Sequence, residues 1–305
     1  MRAYLLRRLL QSLLVLLGVS AVVFLILHLT GDPAILLLPQ DATAEDIARL
    51  RSQLGFNDPL VVQYARFMKG AVRGDFGESL RYRRDALGLV LERLPATLVL
   101  AGTAMLLTLV VAVPLGVVTA VRRDSAVDHA GTVVTVLGQA VPGFWLGLML
   151  IYVFAVQLRW LPTGGMGGLA HLVMPSIVLA AFYAARVARL TRSAVLETLG
   201  EDYVLTARAK GLSERRVVGK HALRNSAIPV VTLAGLEAGQ LLGGAVITET
   251  IFAWPGLGRL TVQALLNRDF PVVMAAVSFT SIVYTLMNLG VDFLYGWLDP
   301  RVRSR

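Results

Sequence analysis

The chain has 305 residues, of which 56% are apolar and 16% are charged, and its formal net charge is +9. Soluble domains are about 45–50% apolar and about one quarter charged, so this composition excludes an ordinary soluble domain and predicts an integral membrane protein. The sequence contains no cysteine, which excludes disulfide bonds, thiolate metal sites and cysteine nucleophiles.

The first apolar run covers residues 9–29. It is longer than the hydrophobic core of a signal peptide, and no small-x-small cleavage site follows it, so we expect a retained membrane span. Runs of about 20 apolar residues match the thickness of a bilayer. Six runs are predicted as membrane spans: 9–29, 97–121, 130–157, 172–190, 226–252 and 272–297.

Prolines and arginines interrupt three of these spans. Pro114 and Pro142 lie in the second and third spans, where neighbouring groups can satisfy the carbonyls that a proline leaves free. Arg186 and Arg189 fall near the end of the fourth span, and we expect their long side chains to reach the headgroup boundary.

The distribution of Lys and Arg predicts the orientation. Six spans place both termini on one side of the membrane, and that side carries 17 Lys and Arg residues, whereas the short loops on the other side carry three. Cytoplasmic loops are enriched in Lys and Arg, so we expect both termini and the stretch 191–225 in the cytoplasm. The positive net charge therefore requires no nucleic-acid partner.

Residues 31–94 form a long segment that we expect on the outer side, because long translocated segments are exempt from the charge bias. Thr43 and Asp46 have the spacing of a capping box. Gly55 is a helix-stop signal, Pro59 opens a second amphipathic stretch, and a third stretch ends the segment. The pattern predicts a small helical extracytoplasmic segment, which either contacts a partner or serves packing alone.

The fifth span carries a glycine repeat and two polar residues. Gly235, Gly239 and Gly243 recur every four residues, which permits close approach of another helix, either within this chain or in a second subunit. Glu237 and Gln240 lie beside them. Polar groups inside a membrane usually face a bundle core or an aqueous cavity, so we expect them in buried helix packing or on a solute path.

The cytoplasmic stretch is predicted to form two short helices joined by a turn. Gly211 after Lys210 suits a helix end, and Ser213 suits the next N-cap. Leu212 and Val217 have the positions of a hydrophobic staple. Such a pair could bind anionic lipid, nucleic acid or protein. Its apolar residues favour a protein groove: Val204, Leu205, Ala207 and Leu212.

No catalytic motif is present in the sequence. It lacks GxxxxGK[ST], HExxH and GxSxG, and its four histidines have no ligand spacing. We therefore expect a chain that is not an enzyme, binds no cofactor and holds no metal.

Several motifs, in order along the whole chain, resemble the permeases of binding-protein-dependent ABC importers. The likeness is to the first permease subunit of the dipeptide, oligopeptide and nickel importers. The motifs are RRLLQSLLVLLGVSAVVFLILHLTGDP (7–33), GDFGES (74–79), ERLPATLVL (92–100), DYVLTARAKGLSERRVVGKHALRNSAIP (202–229), ETIFAWPGLGRL (249–260) and LDPRVR (298–303).

The resemblance implies a contact with an ATPase. In that family, a short helix with the pattern Ala-x-Ala-x-Gly docks in a cleft of a separate ATPase subunit, which places Ala207, Ala209 and Gly211 at the contact. The residues implied around it are Asp202, Tyr203, Arg208 and Lys210. This chain has Leu205-Thr206-Ala207 where the general permease pattern has Glu-Ala-Ala.

The resemblance also implies the architecture and the partners. The fold would be that of an all-α type I ABC importer permease with six transmembrane helices, in the cytoplasmic (inner) membrane of a bacterium. Its divisions would be 1–30 with the first helix, the extracytoplasmic segment 31–94, and a permease core over 95–305. The implied partners are a second homologous permease, two ATPase subunits or one fused ATPase that bind ATP and Mg²⁺, an extracytoplasmic binding protein, and membrane lipid.

Other functions are less favoured by the sequence. A secondary transporter would show inverted repeats, and a channel would show a charged pore ring; neither pattern is visible. For the importer, no His or Met cluster in the spans indicates a metal cargo, so we expect di- or oligopeptides, with nickel or glutathione as the alternatives.

Overall fold

The computed structural model describes residues 2–30 and 43–298, and regular structure in these ranges is helical apart from one isolated bridge between Glu78 and Asp85. The helices are α1 (Arg2–Thr30), α2 (Ala44–Leu54), α3 (Leu60–Ala71), α4 (Ala86–Val121), α5 (Ala126–Ala140), α6 (Gly143–Leu150), α7 (Ala170–Leu199), α8 (Asp202–Ala209), α9 (Glu214–Ile251), α10 (Leu257–Leu266) and α11 (Phe270–Leu298). Wider π-helical turns continue α6 over Ile151–Gln157 and interrupt α9 over Val217–Ala222.

Helices occupy all six predicted span positions. By length and composition, α4, α7, α9 and α11 up to Gly290 could each cross a membrane, and α5 with α6 supplies a fifth span if the pair crosses once. The first helix, α1, covers the predicted span 9–29. The prediction of an all-α membrane protein is confirmed.

The third predicted span is broken. Its two halves, α5 and α6, meet at an angle of 101°. Val141, between them, has an extended backbone with φ −76° and ψ 121°, because the ring of a following proline disfavours the helical conformation. The expectation that Pro142 is tolerated within a helix is therefore wrong, whereas α4 does continue through Pro114.

One compact unit combines Met1–Ala96 with Pro255–Thr285. Its apolar core joins buried side chains of α1, the beginning of α4, α10 and α11. Asp269, buried just before α11, accepts hydrogen bonds from the Ser79 hydroxyl at 2.5 Å and from the Leu80 N–H at 3.1 Å. This carboxylate therefore fixes the end of the GDFGES motif to the loop before α11.

Aromatic packing holds α3 against α1 in the same unit. The Phe24 ring lies 5.4 Å from the Tyr64 ring and 6.2 Å from the Phe67 ring, measured between centroids. The Tyr64 hydroxyl also donates a hydrogen bond to the Leu17 carbonyl at 3.1 Å. The apolar face predicted after Pro59 thus packs within the chain.

The predicted helix signals of residues 43–55 are confirmed. Thr43 and Asp46 form a complete capping box, and Gly55 ends α2 in the left-handed conformation. The hydrogen bond from the Thr43 hydroxyl lowers the pKa of the Asp46 carboxyl below its ordinary value. The third predicted stretch, 87–94, differs: it is the beginning of α4 and not a separate helix.

The second compact unit combines Thr97–Trp254 with Leu286–Arg305. Glycines permit close approach between its helices. A Cβ atom added to Gly116 of α4 would lie 2.6 Å from the Ala188 carbonyl oxygen of α7, and one added to Gly138 of α5 would lie 3.2 Å from another α7 carbonyl. Small residues at such crossings are typical of helix packing in membranes.

This packing predicts the effect of Gly116→Ala. The new methyl group must push against backbone, so we expect a loss of about 1–3 kcal/mol of stability. The matched control is Gly102→Ala on the same helix, because no atom lies within 4 Å of an added Cβ there. Thermal unfolding of the purified protein in detergent should show a lower melting temperature for Gly116→Ala alone. Equal melting temperatures would contradict the packing assignment.

Candidate functional site

A short helix, α8, lies between the long helices α7 and α9. Both long helices extend into the predicted cytoplasmic stretch 191–225, since α7 continues to Leu199 and α9 starts at Glu214. The prediction of a second short helix is therefore wrong: the residues after the turn are the first turns of α9. We call residues 200–217 the α8 module.

The turn after α8 depends on a glycine. Gly211 has a φ of +78°, the left-handed conformation that glycine adopts without steric cost, and this confirms the predicted helix end. The Leu212 N–H donates to the Ala207 carbonyl at 3.3 Å, and the Arg216 N–H donates to the Ser213 carbonyl at 2.8 Å. Ser213 has the extended backbone of an N-cap, but its side chain makes no cap hydrogen bond.

The inner face of the α8 module is a small apolar cluster. Val204, Ala207 and Val217 are buried in it, and Leu199 and Leu212 pack against them. The predicted staple residues Leu212 and Val217 do share this cluster. Ala207 therefore contributes packing inside the module, and its side chain is not on the outer surface.

The outer face carries most of the other predicted contact residues. Asp202, Tyr203, Ala209 and Lys210 are exposed, and Leu205 is 52% exposed among them. The sequence analysis named Leu205 among four apolar residues that favour a protein groove, but the resemblance did not place it at the contact. The 3.6-residue period of a helix could have identified it, because it follows the buried Val204 and therefore turns away from the cluster.

Two polar contacts brace the module. The Arg208 guanidinium pairs with the Glu214 carboxylate at 2.7 Å across the turn, so Arg208 is engaged within the chain. The Asn225 side chain donates to the Tyr203 hydroxyl at 2.6 Å and so ties α8 to α9. The module is thus a preformed surface with Leu205 at its exposed side.

A bidentate ion pair connects the start of α5 to α7. The Arg192 guanidinium donates to both carboxylate oxygens of Asp128 at 2.7 and 2.6 Å, and the Asp124 N–H donates to the same carboxylate at 3.0 Å. Sequence reasoning missed this pair, because its partners are 64 positions apart and only the fold brings them together.

A second charged pair lies between the membrane-spanning helices α7 and α9. The Glu237 side chain is 1% exposed, and its nearer oxygen is 3.0 Å from the guanidinium of Arg186. The Tyr183 hydroxyl donates to the backbone carbonyl of Gln240 at 3.0 Å, whereas the Gln240 side chain is exposed. Arg186, expected at the headgroup boundary, is thus paired with a buried carboxylate.

The glycines of the fifth span differ in their surroundings. Gly239 is buried and Gly235 is half-buried, but no atom lies within 4 Å of a Cβ added to Gly243. The close contact is made by Gly244, where an added Cβ would lie 2.9 Å from the Tyr183 hydroxyl oxygen. Gly243 therefore makes no close helix contact within the described chain, and its place in a subunit interface stays a prediction.

Comparison of the sequence with known families gives two matches. Residues 112–304 match the binding-protein-dependent transport system inner membrane component, and residues 1–101 match the N-terminal region of the same class of transport component. The chain is 44% identical over 303 residues to the glutathione transport system permease protein GsiC of Salmonella paratyphi A, and 43% identical to that of Escherichia coli K12. Each match covers 99% of both chains.

Comparison with solved structures supports the fold. A chain of the inward-facing MetNI methionine ABC transporter aligns with a TM-score of 0.60, and a chain of an amino acid ABC transporter with histidines aligns with 0.51. The alignments cover 69% and 70% of this chain and 96% and 94% of those chains, each at 19% identity.

The turn predicts a specific effect of Gly211→Ala. The left-handed conformation costs a residue with a Cβ atom about 1–2 kcal/mol. The turn should therefore be less stable, and we expect amide hydrogen exchange across α8 to accelerate about tenfold. The control is Gly219→Ala, where a Cβ meets no atom within 4 Å and φ is not positive. Unchanged exchange in Gly211→Ala would show that the turn does not hold α8.

Proposed function

The chain belongs to the family of binding-protein-dependent transport system inner membrane components, and from this premise we propose that it imports short peptides, including glutathione. It would be one of two permeases that together enclose the path of the substrate across the membrane. It is an ABC importer permease subunit. Hydrolysis of ATP on partner ATPase subunits would switch the path between outward and inward access. The permease itself makes and breaks no covalent bond.

The exposed face of α8 carries this proposal. It is a surface-exposed helix with Leu205 among charged residues, which suits the groove of a protein better than a purely ionic surface. The chain has no phosphate-binding GxxxxGK[ST] motif, so energy has to enter through contact with another subunit that binds ATP and Mg²⁺. In this assignment Asp202, Tyr203, Ala209 and Lys210 surround Leu205 at the contact, while Ala207 and Gly211 hold the shape of the module.

The substrate assignment rests on two arguments. The full-length relatives are named as glutathione permeases, and glutathione is a modified tripeptide, which agrees in chemical class with the peptides expected from the sequence. Nickel stays the alternative cargo. The extracytoplasmic binding protein would select among these substrates before the permease meets them.

The orientation follows from the charge distribution. We assign both termini and the α8 module to the cytoplasm, because the positively charged loops lie on that side. The segment that carries α2 and α3 then lies on the outer side, where a binding protein docks. The membrane is the cytoplasmic (inner) membrane of a bacterium.

The substitution Leu205→Glu tests the ATPase contact. Placing a carboxylate in an apolar groove should forfeit the burial of a leucine, about 1.5–3 kcal/mol, so co-purification with the ATPase and coupled ATP hydrolysis should each fall about tenfold or more. The matched control is Leu60→Glu on α3, where the leucine is also exposed, at 45%, and co-purification with the ATPase should be unchanged. Full coupled hydrolysis with Leu205→Glu would refute the docking assignment. Gly211→Glu is a poorer test, because it also strains the turn.

The substrate is tested in the complete importer. The permease pair, ATPases and binding protein are reconstituted in liposomes, and ATP hydrolysis is measured with glutathione, trialanine and Ni²⁺. We expect stimulation by glutathione or trialanine, and none by Ni²⁺. Stimulation by Ni²⁺ alone would replace the peptide assignment with the nickel alternative.

A further inference from the structure

The charged pair between α7 and α9 has an unusual environment. Glu237 lies in the middle of a membrane-spanning helix with a fully buried side chain, and Arg186 is its ionic partner at 3.0 Å. An ionised group at this depth is costly unless it is paired. The carboxylate therefore makes the cation tolerable, and it holds the guanidinium at one position.

The pairing leaves the guanidinium with unused hydrogen-bonding capacity. The contact with Glu237 lacks the geometry of a hydrogen bond, and both carboxylate oxygens have no hydrogen-bond partner in the described part of the chain. A guanidinium carries five N–H donors in a planar fork. Those of Arg186 form no hydrogen bond with an acceptor among residues 2–30 and 43–298, so the donors that face away from Glu237 are available to a ligand.

The other side of Arg186 reaches the surface of the chain. Its side chain is 36% exposed, and its guanidinium carbon lies 5.9 Å from the centre of the exposed Phe182 ring. A cation rarely faces lipid tails at this depth. This surface therefore meets water or another polar surface in the assembled protein.

Further polar groups lie on the neighbouring spanning helices. The Arg189 guanidinium, one turn after Arg186, donates to the Gln139 side chain of α5 at 2.6 Å. The Gln240 side chain, one turn after Glu237, is exposed. Apolar exposed residues such as Ile177 precede them on α7. Helices α5, α7 and α9 thus carry polar groups in their central or later parts, as the wall of an aqueous path would require.

We propose that Arg186, positioned by Glu237, binds the carboxylate of the transported substrate on its way through the path. The inference rests on the proposed function, and it assigns the recognised chemical group: a carboxylate of a short peptide or of glutathione. A guanidinium fork matches the two oxygens of a carboxylate. Glu237 offsets the positive charge, so the substrate is held weakly enough to be released, which transport requires.

Substitution of Arg186 tests the contact in the reconstituted importer. The amount of radiolabelled glutathione or trialanine taken up per ATP hydrolysed should fall about tenfold in Arg186→Gln, because a hydrogen-bonded charge contact is lost. Arg186→Lys keeps the positive charge but lacks the planar fork, so the amount of substrate taken up per ATP hydrolysed should fall less in this variant. The control is Arg123→Gln, which removes an exposed cation outside the spans and should leave the ratio unchanged. A wild-type ratio in Arg186→Gln would overturn the proposal.

Chemical labelling provides a second test that does not depend on transport. Because the chain has no cysteine, Arg186→Cys introduces a single thiol, and a cationic methanethiosulfonate reagent reacts only with a thiolate in water. In the assembled importer we expect labelling at least about tenfold faster than in Ile177→Cys, an exposed apolar position on the same helix. Slow labelling at both positions would place Arg186 outside the aqueous path and overturn the proposal.

Failure of the proposed function has a different signature. If the wild-type importer shows no ATP-dependent uptake of either glutathione or trialanine, the substrate assignment is wrong. This result is read from the wild-type complex before any variant is compared. The labelling rates then still decide whether Arg186 faces an aqueous path.

Discussion

The hydrocarbon core of a membrane offers no hydrogen-bond partner to a peptide group, and this constraint governs the described spanning segments. The helices satisfy this constraint with their own backbone hydrogen bonds, and these bonds are kept even at the break before Pro142. There the Val141 N–H still donates to the Leu137 carbonyl at 3.0 Å, and the Leu146 N–H donates to the Pro142 carbonyl at 3.0 Å. The chain turns by 101° while it keeps these backbone bonds at the corner.

The same constraint explains how the helices associate. With no hydrophobic gain between helices in lipid, contact depends on close packing and on polar pairs. Gly116 and Gly244 provide the close packing, and the Arg186–Glu237 pair provides the polar link between α7 and α9. A cation beside the buried carboxylate offsets the cost of burying its charge. That cation in turn reaches the surface that we assign to the solute path.

Local signals in the sequence predicted local structure well. The capping box at Thr43, the stop at Gly55 and the left-handed Gly211 each depend on a few neighbouring residues, and each is confirmed. The behaviour of the two prolines was not predictable: Pro114 continues a helix and Pro142 breaks one, although both are prolines within apolar runs. Likewise, the repeat at Gly243 marked the correct helix, but Tyr183 meets Gly244 instead.

The residues of the α8 module serve three different purposes, which the short pattern Ala-x-Ala-x-Gly does not distinguish: packing, backbone conformation and contact with a partner. Ala207 is buried in the apolar cluster of the module, and Gly211 is glycine because its backbone is left-handed. Leu205 and Ala209 present their side chains outward, together with the exposed polar residues of the same face. An engineer who wishes to pair this permease with a foreign ATPase can therefore leave the first two positions untouched and randomise the outward ones. Such a library would vary partner choice while the scaffold that presents it stays constant.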